Sequence, residues 1–259
     1  MSIEALPFVN WIFWATLGTG SALVVGLTEL LGGTTRGYRL FMAFLLVAVA
    51  GILLLSELNL VSGSFGDATA DTRRLLVWLV AALATAYLLA SLARLPRSGL
   101  AIAAGLAGVS ALTVLAAAGD TLSASLFTAQ LILAALALGA VSDAMLLGHW
   151  YLVTPRLSPA PLLRMMWLLL IVLLLQVLTF AIAILAISSG PLAGPIGWLT
   201  WLRVLVGIGL PIVITVLAML ASRAASLQAS TGLLYIGLAF VAAGSIAGAS
   251  ITYLTGVPV

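Results

Sequence analysis

The sequence contains no cysteine and no lysine. Without cysteine, disulfides, thiolate metal sites, iron–sulfur ligation and cysteine nucleophiles are excluded within the chain. Without lysine no Schiff base can form, which disfavours a retinal protein, and all ten basic residues are arginines. Histidine occurs once, at His149, so the chain cannot supply both ligands of a bis-histidine haem. Charge of either sign is scarce: 7% of residues are charged, against about a quarter in soluble domains. The net charge of +3 arises from few groups rather than a basic patch, which leaves nucleic acid without an electrostatic footprint. There is no Walker loop, no G-x-G-x-x-G, no His-Glu-x-x-His and no G-x-S-x-G, so the usual announcements of a soluble enzyme are missing.

What is abundant is apolar. The chain is 64% hydrophobic with a mean hydropathy of +1.31, and its solvent is therefore mostly lipid. A hydrocarbon core of about 30 Å needs roughly 20 apolar residues of helix. Eight stretches meet that length, near residues 8–31, 39–61, 75–93, 99–118, 124–153, 161–188, 199–221 and 230–255. The fold class is all-α, a polytopic membrane protein of eight transmembrane helices. The first run has no positive residue before it and no cleavage site behind it, and reads as a retained helix. Pro211 falls inside the seventh, where a neighbour must re-satisfy the freed carbonyl.

Arginines concentrate in cytoplasmic loops. With the N-terminus outside, those loops hold Arg36, Arg39, Arg94, Arg97, Arg156, Arg164 and Arg223, and the opposite side only Arg73, Arg74 and Arg203. The expectation is a multi-pass protein of a bacterial-type inner membrane with both termini extracytoplasmic. The segments 62–71 and 188–197 then become external loops able to cap an outward-facing site. Trp11, Trp14, Trp78, Trp198 and Trp201 fall near the external ends of their spans, as an aromatic belt does.

A shift of about 120 residues brings Thr34 and Arg36 onto Thr154 and Arg156, and one of about 129 brings Arg74 and Arg94 onto Arg203 and Arg223. This suggests two tandem four-helix units, 1–120 and 121–259, related by an axis along the membrane normal. Chance matches in a Leu- and Ala-rich text are the alternative.

Ionisable groups in a bilayer are costly and usually face a cavity, a partner or a ligand. Asp143, mid-way along the fifth span with no basic residue nearby in sequence, is the first candidate for chemistry, as a proton relay or head-group contact; a structural hydrogen bond is its plain alternative. Six residues on, His149 lies roughly 120° around the helix from Asp143 and about 9 Å along it, too far for a direct pair. Trp150 shares the aspartate's stripe. His149 is either an interfacial side chain among aromatics or a proton donor or, with Trp150, a quinone or haem contact near the cytoplasmic interface. Glu57 ends the second span at the level where Arg73, Arg74 and Arg203 begin the third and seventh. This group either binds an anionic or hydroxylated head group, with Asp67, Asp71 and Asp120 as proton acceptors, or consists of plain interfacial charges. Glu29, with Arg36 and Arg39 beyond it, suggests an interface ion pair. Gln130 and Gln176 suggest helix-to-helix hydrogen bonds, and Gly244 and Gly248 close helix packing.

The stretch from Leu6-Pro7-Phe8 to Gly20, and that from Trp201-Leu202-Arg203-Val204-Leu205 through Gly209-Leu210-Pro211 to Tyr253 and Gly256, resemble the membrane-anchor family of polysulfide reductase and dimethyl sulfoxide reductase. That resemblance implies two four-helix bundles, quinone or quinol exchange at the external side, and electron transfer to an extrinsic iron–sulfur subunit. It places Glu57, Arg74 and Arg203 near the quinone pocket. The expected function is an integral membrane subunit of a respiratory or electron-transfer complex that binds quinone with proton transfer by Glu57 or Asp143. Its partners are the lipid bilayer and other subunits of that complex, with haem only if a partner supplies a ligand. Any enzymatic role is that of a membrane subunit of an oxidoreductase. The alternatives are a proton-coupled small-solute transporter using Asp143 and Pro211, and a structural or assembly subunit.

Overall fold

When lipid is the solvent, an apolar segment satisfies its own backbone groups only as a helix or a closed barrel, and this chain takes the helical solution eight times. A computed structural model describes residues 5–60, 69–117, 121–154, 158–186 and 192–258. Asp67, Asp120, Pro155, Arg156, Pro191 and most of the two proposed external caps lie outside the described residues. The first six spans are α1 (Ala5–Leu31), α2 (Arg36–Leu58), α3 (Ala70–Leu92), α4 (Ser98–Ala116), α5 (Thr121–Val153) and α6 (Ala160–Ala186). The seventh, Gly194–Arg223, is composite: a 3-10 turn, then α7 (Gly197–Trp201), a π-helical stretch Leu202–Gly209 and α8 (Leu210–Arg223). The eighth is α9 (Leu227–Thr255). All eight spans are long and apolar enough to cross a membrane, and the chain is an all-α polytopic membrane protein.

The turns follow from backbone chemistry. Gly32 and Gly33, with φ of +70° and +96°, end α1, and the Thr35 hydroxyl then caps α2 by accepting from the Tyr38 N–H at 3.3 Å. Arg94 and Ala225 take positive φ, 61° and 59°, to end α3 and α8. Each turn closes the same way: Leu95 N–H donates to the Ala90 carbonyl and Ser226 N–H to the Ala221 carbonyl, both at 2.9 Å.

Helices α1 to α4 pack in a ring, with α4 returning to α1. A second ring is formed by α5, α6, α8 and α9, again with the last helix against the first. The rings join along α1 and α5, which are the most enclosed spans, 72% and 78% buried over their apolar windows, against 28% for α6. Gly20 and Gly139 make this seam possible, because a Cβ on Gly20 would strike the Ala135 carbonyl and one on Gly139 the Gly20 main chain. Helix association in lipid depends on such close backbone approach. Leu174, Leu178 and Leu185 of α6, and Leu75, Leu79 and Leu89 of α3, point outward as lipid-facing surface.

The seventh span departs from a uniform α-helix. Through its π stretch the backbone bonds skip one residue further; Leu210 N–H reaches the Leu205 carbonyl, and the α register resumes at Pro211, which has no N–H to give. Within that stretch Gly207 lies against Gly244 of α9, so Gly244 serves helix packing, while Gly248 lines the cavity beside Arg203.

Candidate functional site

Glu57 lies on the last turn of α2 and is 1% exposed. A carboxylate removed from water is tolerated only when donors replace its hydration, and two neighbours supply them. Arg73, near the start of α3 and equally enclosed, donates from Nε to Oε2 and from Nη2 to Oε1, each at 3.2 Å. Trp11 of α1 donates its indole N–H to Oε2 at 2.7 Å, and the Arg73 guanidinium lies 5.7 Å from the Trp11 ring centroid. Trp11 is thus an interior ligand of Glu57 rather than a belt residue, whereas Trp78, Trp198 and Trp201 are exposed. Arg74 is half exposed and faces Asp71 at 3.9 Å, away from the Glu57 cluster.

One residue along each helix, the polar chain continues to the surface. Asn10 Nδ2 donates to Ser56 Oγ at 2.8 Å, and Trp14 donates its indole N–H to Asn10 Oδ1 at 3.0 Å. Asn10 and Ser56, with Asn59, floor an open groove of about 680 Å³ between α1 and α2, walled by Leu6, Pro7, Ile52 and Leu55. The groove is therefore apolar along its sides and polar at Asn10, Ser56 and Asn59, while Glu57, Arg73 and Trp11 lie buried behind it and do not line it.

Arg203, in the π stretch, is 4% exposed and has a neutral partner: Nη2 donates to Gln176 Oε1 of α6 at 3.4 Å. Beside it is a cavity of about 20 Å³ lined also by Thr16, Gln130, Ser245 and Thr252. The sequence places Arg203 level with Glu57, but the two belong to different rings and do not meet through any hydrogen bond or ion pair among the described residues.

Asp143 is fully buried on α5. The Tyr38 hydroxyl donates to its main-chain carbonyl at 3.1 Å, while neither carboxyl oxygen has a well-formed hydrogen bond, although Ser21 of α1 is within reach. Trp150 packs its indole over Gly37, so the stripe carrying Asp143 and Trp150 faces the start of α2. His149 is exposed and pairs with Tyr235 of α9, Nδ1 to Oη 3.4 Å, with the rings edge-on. It shares no contact with Asp143, as their helical spacing predicts.

At the opposite end of the first ring, Glu29 gathers Arg97 Nε at 3.0 Å, the Tyr87 hydroxyl at 3.0 Å and Arg39 Nε at 3.8 Å. Arg36 is exposed, and Arg97 from the start of α4 takes the place expected for it. This network joins α1, α2, α3 and α4 and reads as a structural clamp.

Compared with models of protein families and with curated protein sequences, the chain matches none. The functional reading rests on these side chains alone.

Proposed function

We propose that the chain is the quinone-binding membrane subunit of an electron-transfer complex, with the head group seated in the α1–α2 groove beside Glu57. The observation that supports this is an open apolar groove whose polar floor residues, Asn10 and Ser56, are the sequence neighbours of Trp11 and Glu57 in the buried carboxylate cluster. Its volume of about 680 Å³ is within the roughly 300–1,000 Å³ typical of small-molecule sites. Leu6, Ile52 and Leu55 suit an isoprenoid tail; the amide of Asn59 and the Asn10 and Ser56 groups suit ring oxygens. A quinone held there supplies two-electron, two-proton chemistry, its electrons exchanged with redox centres of a partner subunit.

The chain's own residues then have separable tasks. Asn10 and Ser56 orient the head group, Glu57 is the nearest proton acceptor, and Trp11 and Arg73 hold its carboxylate in one position. Asp143, buried with Tyr38 and Ser21, lies toward the opposite end of α2 from Glu57 and is a second, separate group able to carry a proton. Arg36, Arg39, Arg94, Arg97, Arg164 and Arg223 lie at the Glu29 end and Arg73, Arg74 and Arg203 at the other. The positive-inside rule puts the groove on the extracytoplasmic side of a bacterial-type inner membrane. His149 stands on the exposed surface with Tyr235 and lines neither the groove nor the Arg203 cavity, so no role in a haem site is derived for it.

Titration of the purified full chain with a short-tailed quinone is expected to quench tryptophan fluorescence saturably, since Trp14 is hydrogen-bonded to Asn10 of the floor. Asn10→Leu is expected to weaken binding about three- to tenfold, the loss of roughly one hydrogen bond at an exposed residue of an open groove. Protein purified from native membranes without bound quinone, together with quenching that never saturates, would count against the proposal.

A further inference from the structure

The two rings carry the same polar constellation with one member exchanged. Gln130 and Gln176 each follow Trp11 and Glu57 by 119 positions, the offset that also relates Gly139 to Gly20 across the seam. Arg203 follows Arg73 by 130, and Ala225 follows Arg94 by 131, one residue more, which is the extra residue a π segment adds to a helix. Arg73 Nη2 donates to Glu57 Oε1 at 3.2 Å, and Arg203 Nη2 donates to Gln176 Oε1 at 3.4 Å. The trio Trp11, Glu57, Arg73 of the first ring is therefore Gln130, Gln176, Arg203 in the second. The indole is replaced by a smaller amide, whose Nε2 donates to the Pro258 carbonyl at 3.1 Å, and a cavity lined by both Gln130 and Arg203 lies beside the guanidinium. The carboxylate is replaced by a neutral amide, and the guanidinium charge is left without a counter-charge among the described residues.

We propose that the cavity beside Arg203 binds one monovalent anion of halide size, which supplies in the second ring the counter-charge that the Glu57 carboxylate supplies in the first, from the space where the first ring carries the Trp11 indole. Arg203 Nε, Gln176 Nε2 and Ser245 Oγ are all buried, all able to donate, and all without an acceptor. Arg203 and Ser245 line the cavity itself, and Gln176 is bonded to Arg203. A neutral water satisfies some of these donors but leaves the charge, whose burial without compensation is strongly unfavourable. An anion answers both. The space of about 20 Å³ admits roughly one water-sized body, which selects chloride or bromide over sulfate, phosphate or a carboxylate ligand. This inference stands independently of the quinone groove, from which α1 separates it: Trp11 faces Glu57, while Ile12 and Thr16 face the cavity.

The test compares thermal unfolding of the full-length purified protein in sodium chloride, sodium bromide and sodium gluconate at one ionic strength. Halide is expected to raise Tm by about 3–5 °C over gluconate, the mass-action gain from a ligand bound only to the folded state. Gln176→Glu, which restores the carboxylate of the first ring, is expected to abolish that difference, and Arg74→Ala, on the exposed surface, to leave it intact. Crystals soaked in bromide provide a measurement that needs no variant: an anomalous peak within hydrogen-bond distance of Arg203 Nε is expected. Equal Tm in chloride and gluconate, no bromide peak in the cavity, or a halide response retained in full by Gln176→Glu would each overturn the proposal.

Discussion

Arg73→Ala is expected to lower the unfolding free energy by about 3–5 kcal/mol, because it strands the Glu57 carboxylate in the interior with a single indole donor. Replacing both members, Glu57→Leu with Arg73→Leu, is expected to recover most of that loss, since a buried ion pair contributes little over a well-packed apolar pair of similar volume. Arg74→Ala is expected to change nothing measurable, although it alters the next residue, because its partner Asp71 is solvent-exposed and the pair is long. Unfolding in detergent micelles followed by circular dichroism checks all three. If Arg73→Ala and Arg74→Ala unfold alike, the buried pair is not what holds α2 and α3 together at this end.

A second large effect is expected at the seam between the rings. Gly20→Ala adds one methyl group that meets the Ala135 carbonyl, and Gly139→Ala one that meets the Gly20 main chain. Neither neighbour is a flexible side chain, so α1 and α5 must separate. The cost is expected at or above the upper end of the about 1–3 kcal/mol typical of overpacking. Gly51→Ala in α2 is the control: nothing lies within 4 Å of its added Cβ, and the gain in helix propensity is expected to stabilise by about 0.5–1 kcal/mol. Detergent-resistant folded protein, measured by fluorescence-detected size exclusion against temperature, separates the three. A Gly20→Ala protein as stable as Gly51→Ala would mean that the rings do not close on each other through these glycines.

The spans were legible in the sequence because lipid imposes one length and one backbone solution; every apolar run became a helix, with ends within a few residues. The interior of the seventh span was not. Pro211 announces a disturbance, but whether a helix kinks or shifts to π register depends on its neighbour, and here Gly207 lies against Gly244 of a helix distant in sequence. Glu57 stood out as a charge at a span's end. Its true partner was harder to choose between two adjacent arginines. The stripe 73, 77, 80, 84, 87 is the buried face of α3, and helical spacing alone puts Arg73 on it and Arg74 off it. That signal was obscured because lipid-facing and core-facing residues are equally apolar, so a membrane helix lacks the contrast that marks the inner face of a soluble one. Trp11 was hidden for a related reason: a tryptophan near a span's end fits a belt as readily as a ligand. The sequence repeat pairs Arg203 with Arg74 and leaves Gln130 and Gln176 unmatched; their correspondence to Trp11 and Glu57 emerges only from the structure, because the residue types differ.

The α1–α2 groove is the proposed place where a quinone meets the protein. Photolabelling of the purified chain with an azido-quinone, followed by peptide mass spectrometry, measures this directly. The expected result is label confined to the segments 6–11 and 52–59, displaced by excess unlabelled quinol and reduced by Asn10→Leu. Label distributed evenly along lipid-facing helices such as α6, with no displacement by quinol, would contradict the account.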